Sequence, residues 1–282
     1  MEVKKKIKRV IGLFAISAKM DLLWLLRDTR YALAGIAGEA VSNLSVVSGV
    51  WLIAIRFGGI GGMSVDEVLF MMSYSTLVTG LFILFGSGNN IHISRIIGRG
   101  QLEHLFMQPN SLKMQLITGG FVPFTGCSNF IIGCILLIVS ITRLQLQVTL
   151  WWMVRLIAHL TATMAIIIAR SYLVSTAAFY APVEAEEIST AAIEGTWQLS
   201  TFPLSGMPAF IQLPLLTILP EGLMAWFPAL CLLGKPPLNL TEYYPFAYAL
   251  VLALAAKYFF RKGMNWYVTK GSNRYVPYGF RR

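Results

Sequence analysis

Long apolar segments recur along this chain, separated by short polar or glycine-rich stretches. The first lies at 31–57 and the second at 68–93. Because the hydrocarbon core of a bilayer is about 30 Å thick, a helix of roughly 20 apolar residues is enough to cross it. Only 13% of the residues are charged, against about 25% in a typical soluble domain. The sequence therefore predicts an integral membrane protein.

Six segments are expected to cross the membrane as helices, so the predicted fold is an all-α membrane protein. Their ranges are 31–57, 68–93, 114–141, 148–181, 201–234 and 244–260. The fifth segment contains five prolines, which break the helical hydrogen-bond ladder. A straight helix of that length would also extend about 50 Å, well beyond the bilayer core. We therefore expect a broken, re-entrant fifth segment, preceded by an acidic, solvated loop at 182–200.

The two ends of the chain are basic. Residues 1–30 combine apolar positions at helical spacing with lysines and arginines, which predicts an amphipathic helix lying in the membrane interface. Residues 263–282 are expected to form a tail. In the six-span arrangement, nineteen of the 23 lysines and arginines fall on one side, together with both termini. Positive residues favour the cytoplasmic side, so both termini are predicted to be cytoplasmic.

A polar loop at 94–113 interrupts the apolar pattern. Its apolar positions, Ile96, Ile97, Leu102, Leu105 and Phe106, form a stripe bordered by charged side chains. Such a stripe is typical of a short helix that docks in a groove of another protein, although an ordinary connecting loop folded on its own chain remains an alternative. The candidate contact residues are Arg95, Arg99, Gly100, Leu102, Glu103, His104, Phe106 and Pro109.

Two polar groups fall inside predicted spans, where ionisable residues are costly and usually face a bundle interior. The first is an inner-mouth cluster, in which Glu39 and Asn43 share a helix face and are expected to meet Asn89, Asn90 or His92. The second is an outer polar face. It is formed by Arg155 and His159, with Glu221 as the one acidic residue of the broken segment. Either group can line a pathway or only join helices.

No catalytic motif is evident. The chain has no P-loop and no HExxH motif, and its three histidines are far apart in sequence. The three cysteines lie in apolar segments without CxxC spacing, as packing residues do. We therefore expect no catalytic residue, no metal site and no cofactor bound by this chain, which would then not be an enzyme.

Three stretches resemble one family. The motif IIGRGQLEHLFMQP at 96–109 resembles the loop after the second span in permease subunits of bacterial ABC-2-type exporters with six spans. The proline-rich stretch at 202–234 resembles their fifth segment. The stretch FFRKGMNWYVTKGSNRY at 259–275 resembles the end of their last helix. The resemblance covers most of the chain, in the expected order.

The resemblance implies an export channel half in a bacterial inner membrane. Such a subunit pairs with a second permease, identical or homologous, and sits on cytoplasmic ATPase subunits that bind ATP and Mg²⁺. The 94–113 loop would be the coupling helix that enters the ATPase, and no nucleic acid is implied. The alternatives are a stand-alone secondary transporter, a membrane-embedded enzyme or an accessory membrane subunit. The transported substrate is not specified.

Overall fold

A computed structural model describes residues 2–86, 93–237 and 241–271 of the chain. These residues form thirteen α-helices and two short 3₁₀ turns, with no strand among them. The predicted all-α class is therefore confirmed. The helices are α1 (Glu2–Arg27), α2 (Thr29–Phe57), α3 (Val65–Gly86), α4 (Ile93–Gly98), α5 (Leu102–Phe106), α6 (Leu112–Thr118), α7 (Ser128–Arg143), α8 (Leu150–Ser175), α9 (Pro182–Leu199), α10 (Ala209–Gln212), α11 (Pro214–Thr217), α12 (Trp226–Leu232) and α13 (Tyr244–Lys270).

Three of these helices are long and apolar enough to cross a membrane, counting only the part of the chain that the structure describes. They are α2, α3 and α8, the last extended to Phe179 by a 3₁₀ turn. A fourth crossing results if the pair at 209–217 and 220–232, bent by 74°, is one span. The predicted break in the fifth segment is confirmed by that bend, because Pro220 begins a 3₁₀ turn there.

The centre of the bundle is α3, most of which is buried. Helix α7 packs along α3, and the backbones of the two helices are in contact at glycines. A Cβ atom on Gly80 would lie 2.2 Å from the amide nitrogen of Phe130, and one on Gly133 would lie 2.6 Å from the Cα atom of Leu77. Small residues at such a crossing let membrane helices approach closely.

The third predicted span is not one helix. Instead α6 ends at Thr118, α7 begins at Ser128, and residues 119–127 between them are not helical. Gly119, Gly120 and Pro123 account for the break, because glycine weakens a helix and proline interrupts its hydrogen bonds. The spanning part is consequently shorter than expected, with only the 16 residues of α7 in helical form.

The N-terminal helix α1 is attached to this break. The Asp21 carboxylate accepts hydrogen bonds from the Phe124 and Thr125 backbone amides at 2.8 and 3.2 Å, and from the Thr125 hydroxyl. Ser17 donates to the Thr118 carbonyl at 3.0 Å. Elsewhere α1 exposes both apolar and basic side chains, among them Ile11 and Arg9. The placement of residues 1–30 in the membrane interface stays a prediction.

Both ends of the proline-rich segment lie at the turn between α2 and α3. Gly61, in the left-handed region at φ +58°, approaches Ser205 so closely that a Cβ atom would lie 1.7 Å from the Ser205 carbonyl oxygen. At the other end, the Lys235 ammonium group pairs with Glu67 at 2.6 Å. Glu221, between these ends, is buried against Arg170 of α8. The segment therefore enters the bundle and returns to the same end.

Two further expectations need correction. Residues 182–200, predicted as a solvated loop, form α9, whose Ala185, Ser189 and Ile193 side chains are buried. The predicted tail begins too early, because α13 continues to Lys270 and includes the first part of residues 263–282. Gly263 and Tyr267 are buried in that extension, and Gly263 packs against the Phe179 ring.

Candidate functional site

The polar loop folds into the short helices α4 and α5, which lead into α6. Gly100 joins α4 to α5 with φ +68°, a left-handed conformation that favours glycine. The side-chain amide of Gln115 on α6 donates to the Leu105 and Asn110 carbonyls at 2.9 and 2.7 Å. The loop around Pro109 is therefore a defined structure joined to α6 at its base.

Ionic contacts join α4 to α9. The Arg95 and Arg99 guanidinium groups both donate to the same oxygen of Glu186, at 3.0 and 2.9 Å. Nearby, the buried hydroxyls of Ser94 and Ser189 are hydrogen bonded to each other. The two predicted arginines thus contact the chain's own acidic helix.

The predicted apolar stripe divides between the protein interior and the surface. Ile96, Ile97 and Leu102 are buried in a small core with Phe179 and Tyr267. Leu102 is fully buried, so its expected place on an exposed docking surface is wrong. Leu102 lies two residues after the turn at Gly100 and faces inward, where the 3₁₀ turn after α8 and the extension of α13 provide apolar partners. The Glu103 carboxylate accepts a hydrogen bond from the Tyr267 hydroxyl.

What remains exposed is a tip at the end of α5. Phe106 is 47% exposed and Met107 is 75% exposed. His104 and Pro109 are exposed beside them, and Arg99 and Lys113 are exposed at the edges. We call Phe106 and Met107 the apolar tip. Its position is defined by the buried Leu102 and by the contacts to α6, α9 and α13.

The inner-mouth cluster has partners that the sequence did not indicate. Glu39 accepts hydrogen bonds from Ser128 at 3.0 Å and from the Asn129 side-chain amide at 2.9 Å, both on α7. Asn43 accepts from the Thr76 hydroxyl of α3 at 3.2 Å. The expected partners Asn89, Asn90 and His92 lie outside the described residues. The cluster therefore joins α2 to α7 and α3.

A cavity of about 580 Å³ opens beside this cluster. It lies between α2, α3, α7 and the residues that follow α9. Its lining side chains are Glu39, Ser42, Asn43, Val46, Val47, Met72, Ser75, Thr76, Thr79, Asn129, Thr201 and Phe202. The size falls within the roughly 300–1,000 Å³ of small-molecule sites.

The outer polar face does not form as one group. The Arg155 guanidinium donates to Glu242 at 2.7 Å and to the Cys231 carbonyl at 2.6 Å, so it reaches the broken segment through its backbone. Glu221 instead pairs with Arg170. His159 is buried and its ring lies against Phe246. A role in joining helices fits these contacts.

The residues that sequence reasoning missed are neutral or distant. Ser128 and Asn129 lie about 90 positions after Glu39, and Asp21 lies about 100 positions before Thr125. The only sequence signal was a polar residue within an apolar segment. Among the described residues, no group of three or more His, Cys, Asp or Glu side chains is placed to hold a metal ion.

Comparisons with known proteins agree with the architecture. A family model described as "ABC-2 family transporter protein" matches residues 45–271. No curated protein and no solved structure matches the chain at a significant level. The matched range contains the second part of α2, all of α3 to α13, the polar loop and the proline-rich segment. The chain therefore belongs to the ABC-2 transporter family, as a multi-pass permease component of membrane transport.

Proposed function

We propose that this chain is the permease subunit of an ATP-driven ABC exporter and that it docks on a cytoplasmic ATPase through the apolar tip. The ATPase binds ATP and Mg²⁺, whereas this chain binds neither. A second permease, identical or homologous, completes the pathway. The observation that carries the proposal is an exposed apolar tip held by buried anchors.

The shape of the tip supports docking. Two adjacent exposed apolar side chains, Phe106 and Met107, are surrounded by exposed polar and basic groups. Interfaces share this arrangement of an apolar centre and a polar rim, and both aromatic residues and methionine are enriched there. The exposed His104 and Lys113 provide part of the rim.

The anchors support transmission of movement. Leu102 lies in a core with residues of the α8 extension and α13, while Arg95 and Arg99 pair with α9. A displacement of the tip is therefore passed to three long helices rather than absorbed within a flexible loop. Chains of packed side chains and ion pairs such as these carry energetic coupling between distant sites.

Charge supports the proposed orientation, with the 94–113 loop and both termini in the cytoplasm of a bacterium. The two ends of the proline-rich segment, Ser205 and Lys235, then lie outside with the α2–α3 turn. In this topology the segment is re-entrant from the outer side. Six crossings are made by α2, α3, α7, α8, α9 and α13.

The exposed surface of α2 supports pairing with a second permease. Only 17% of the residues in the apolar 18-residue stretch of α2 are buried within the chain. Val41 and Leu44 are exposed on a helix that also lines the cavity. A second subunit placed against α2 would enclose the cavity between the two chains.

Site-specific crosslinking tests the docking. In a background lacking Cys127, Cys134 and Cys231, a cysteine is introduced as Met107→Cys. Gln147→Cys, exposed at the opposite end of the bundle, serves as the exposed control, and Leu102→Cys serves as the buried control. We expect a short thiol-reactive crosslinker to join Met107→Cys alone to a soluble nucleotide-binding subunit in native membranes.

Copurification through a tag on this chain provides the second readout. A stoichiometric ATPase, accompanied by one or two permease types, is the expected composition. If no nucleotide-binding subunit accompanies the chain, and Met107→Cys forms no crosslink, the docking proposal fails. A stand-alone carrier or an accessory subunit would then replace it.

A further inference from the structure

We propose that the cavity beside Glu39 binds an organic ammonium ion, with the Glu39 carboxylate as its counter-charge. This inference rests on the proposed export function and names the class of substrate. It assigns Glu39 to substrate binding as well as to joining α2 and α7. The evidence is the charge of the cavity, an unsatisfied acceptor on a residue of its wall, and the chemistry of its walls.

The charge of the cavity is the first step. Glu39 is the only ionisable side chain among the described residues that line the cavity. Its hydrogen-bond partners Ser128 and Asn129 are neutral donors. They orient the carboxylate but do not neutralise it. Among the residues that the structure describes, no lysine or arginine lies within ion-pair distance of Glu39.

An uncompensated carboxylate inside a membrane domain is costly. Acidic residues there are usually paired, or they face a cavity that an ion or substrate enters. Glu221, which is buried, follows the first pattern, since it is paired with Arg170. Glu39 follows the second pattern, and a cationic ligand is the partner that it lacks.

The unsatisfied acceptor is the second step. Asn129 is 3% exposed and lines the cavity. Its side-chain nitrogen donates to Glu39, and its side-chain oxygen, buried beside the carboxylate, has no hydrogen-bond partner. An ammonium group carries several N–H donors and no acceptor. It can therefore donate to the Glu39 carboxylate and the Asn129 oxygen together, which satisfies both.

The walls of the cavity indicate an organic ligand rather than a bare ion. The volume of about 580 Å³ is suited to a molecule with a carbon framework. Ser42, Asn43 and Thr79 offer hydroxyl and amide groups, while Met72 and Phe202 offer apolar surface. A ligand with an ammonium group, an apolar body and a few hydrogen-bonding groups fits this lining.

Binding of a matched pair of probes tests the inference. The probes are dansylcadaverine, which carries a primary ammonium group, and its N-acetylated form, which is neutral and otherwise identical. The full-length chain is held in nanodiscs of zwitterionic lipid, so that lipid charge does not attract the amine. Dansyl fluorescence reports binding. We expect the wild-type chain to bind the amine about ten-fold more tightly than the acetylated probe, a difference of one charge-assisted contact.

Three variants assign the preference to Glu39. Glu39→Gln keeps the hydrogen-bonding shape and removes the charge, so it should bind both probes equally. Glu187→Gln removes an exposed carboxylate on α9 and should bind like the wild type. Thr79→Lys leaves Glu39 in place but introduces an ammonium group into the cavity, and it should also lose the preference. This third variant keeps the test decisive if Glu39→Gln does not fold.

Equal binding of the two probes by the wild-type chain would overturn the inference. A full preference retained in both Glu39→Gln and Thr79→Lys would do the same, because the amine would then bind elsewhere. The assay contains no ATPase, so its failure is distinct from failure of the docking proposal. An ATPase that copurifies with a chain lacking amine preference would leave the permease function standing and reject the substrate class.

Discussion

Arg170 on α8 donates a hydrogen bond to Glu221 at 2.6 Å, deep in the bundle and at the turn of the proline-rich segment. Another nitrogen of the same guanidinium group contacts the Ala192 carbonyl of α9 at 3.4 Å. The Glu221 side chain is 2% exposed and that of Arg170 is 10% exposed. The Arg170 guanidinium thus joins the proline-rich segment to two long helices.

Removing one partner should strongly destabilise the protein. Glu221→Gln leaves the Arg170 charge buried without its counter-charge, which typically costs about 3–5 kcal/mol. We expect a marked fall in the thermal unfolding temperature of the protein in detergent. The double variant Arg170→Met with Glu221→Leu removes both charges and should be more stable than Glu221→Gln. A double variant less stable than the single one would contradict this account.

The contact between α3 and α7 should not tolerate a methyl group. In Gly80→Ala the new Cβ atom would meet the Phe130 backbone at 2.2 Å, so α7 must shift. Overpacking of this kind costs about 1–3 kcal/mol. Gly35→Ala on α2 is the matched control, because no atom lies within 4 Å of its added Cβ atom. Thermal unfolding of the two variants side by side provides the measurement, and equal stability would count against the packing described for α3.

The sequence predicts the long apolar helices well and the helix breaks less well. Thr29–Phe57 and Val65–Gly86 lie close to the predicted first two spans. The third span was placed as one helix because its average hydrophobicity hides the effect of Gly119, Gly120 and Pro123. The helix α9 was missed for the opposite reason. Its glutamates indicate a solvent-exposed loop, whereas Glu186 is in fact stabilised by two arginines that lie about 90 positions earlier in the sequence.

The candidate site, too, could be predicted only in part from the sequence. Phe106 was predicted as part of a longer apolar stripe, whereas Met107, the other residue of the apolar tip, was not predicted. Which residues of the stripe face outward depends on burial in a core that α13 helps to form. Glu39 was identified from its own chemistry as a residue that needs a partner. Ser128 and Asn129 could not be identified as that partner, because neutral side chains give no charge signal and the packing of α7 brings them close.

Two neighbouring apolar residues in the loop should behave differently on truncation. Leu102→Ala empties part of a fully buried core, which typically costs about 2–5 kcal/mol. Phe106→Ala removes a half-exposed side chain, so it should leave the unfolding temperature nearly unchanged and weaken recovery of the ATPase in a pull-down. The two readouts, taken on the same preparations, separate stability from docking. Equal effects of both variants on stability would show that the tip is part of the core.

The attachment of α1 should depend on one carboxylate. Asp21 accepts two backbone hydrogen bonds and one hydroxyl bond from residues 124–125. Hydrogen bonds to charged groups contribute about 1.5–3 kcal/mol each, so Asp21→Ala should release α1 locally. We expect faster amide hydrogen exchange in α1 and at residues 119–127.

Asp28→Ala is the matched control for this experiment. It also removes an aspartate carboxylate, but at the junction of α1 and α2. There the Asp28 side chain forms no helix-cap hydrogen bond, and its carboxylate lies 3.9 Å from the exposed Arg27 guanidinium. Exchange in α1 should remain at the wild-type rate. A comparable increase in both variants would mean that Asp21 does not hold α1 in place.

The ion pairs of Glu186 have a consequence for how the chain is made. Its helix, α9, carries four glutamates and was not apolar enough to be counted among the candidate spans. Arg95 and Arg99 are synthesised long before Glu186, their partner. Two other ion pairs follow the same order, Arg170 before Glu221 and Arg155 before Glu242. Each of these acids therefore reaches the membrane after its base. In the proposed six-crossing topology, this order of synthesis lets the polar helix α9 insert against a neighbour that is already in place. Deleting the early arginines should then leave α9 outside the bilayer.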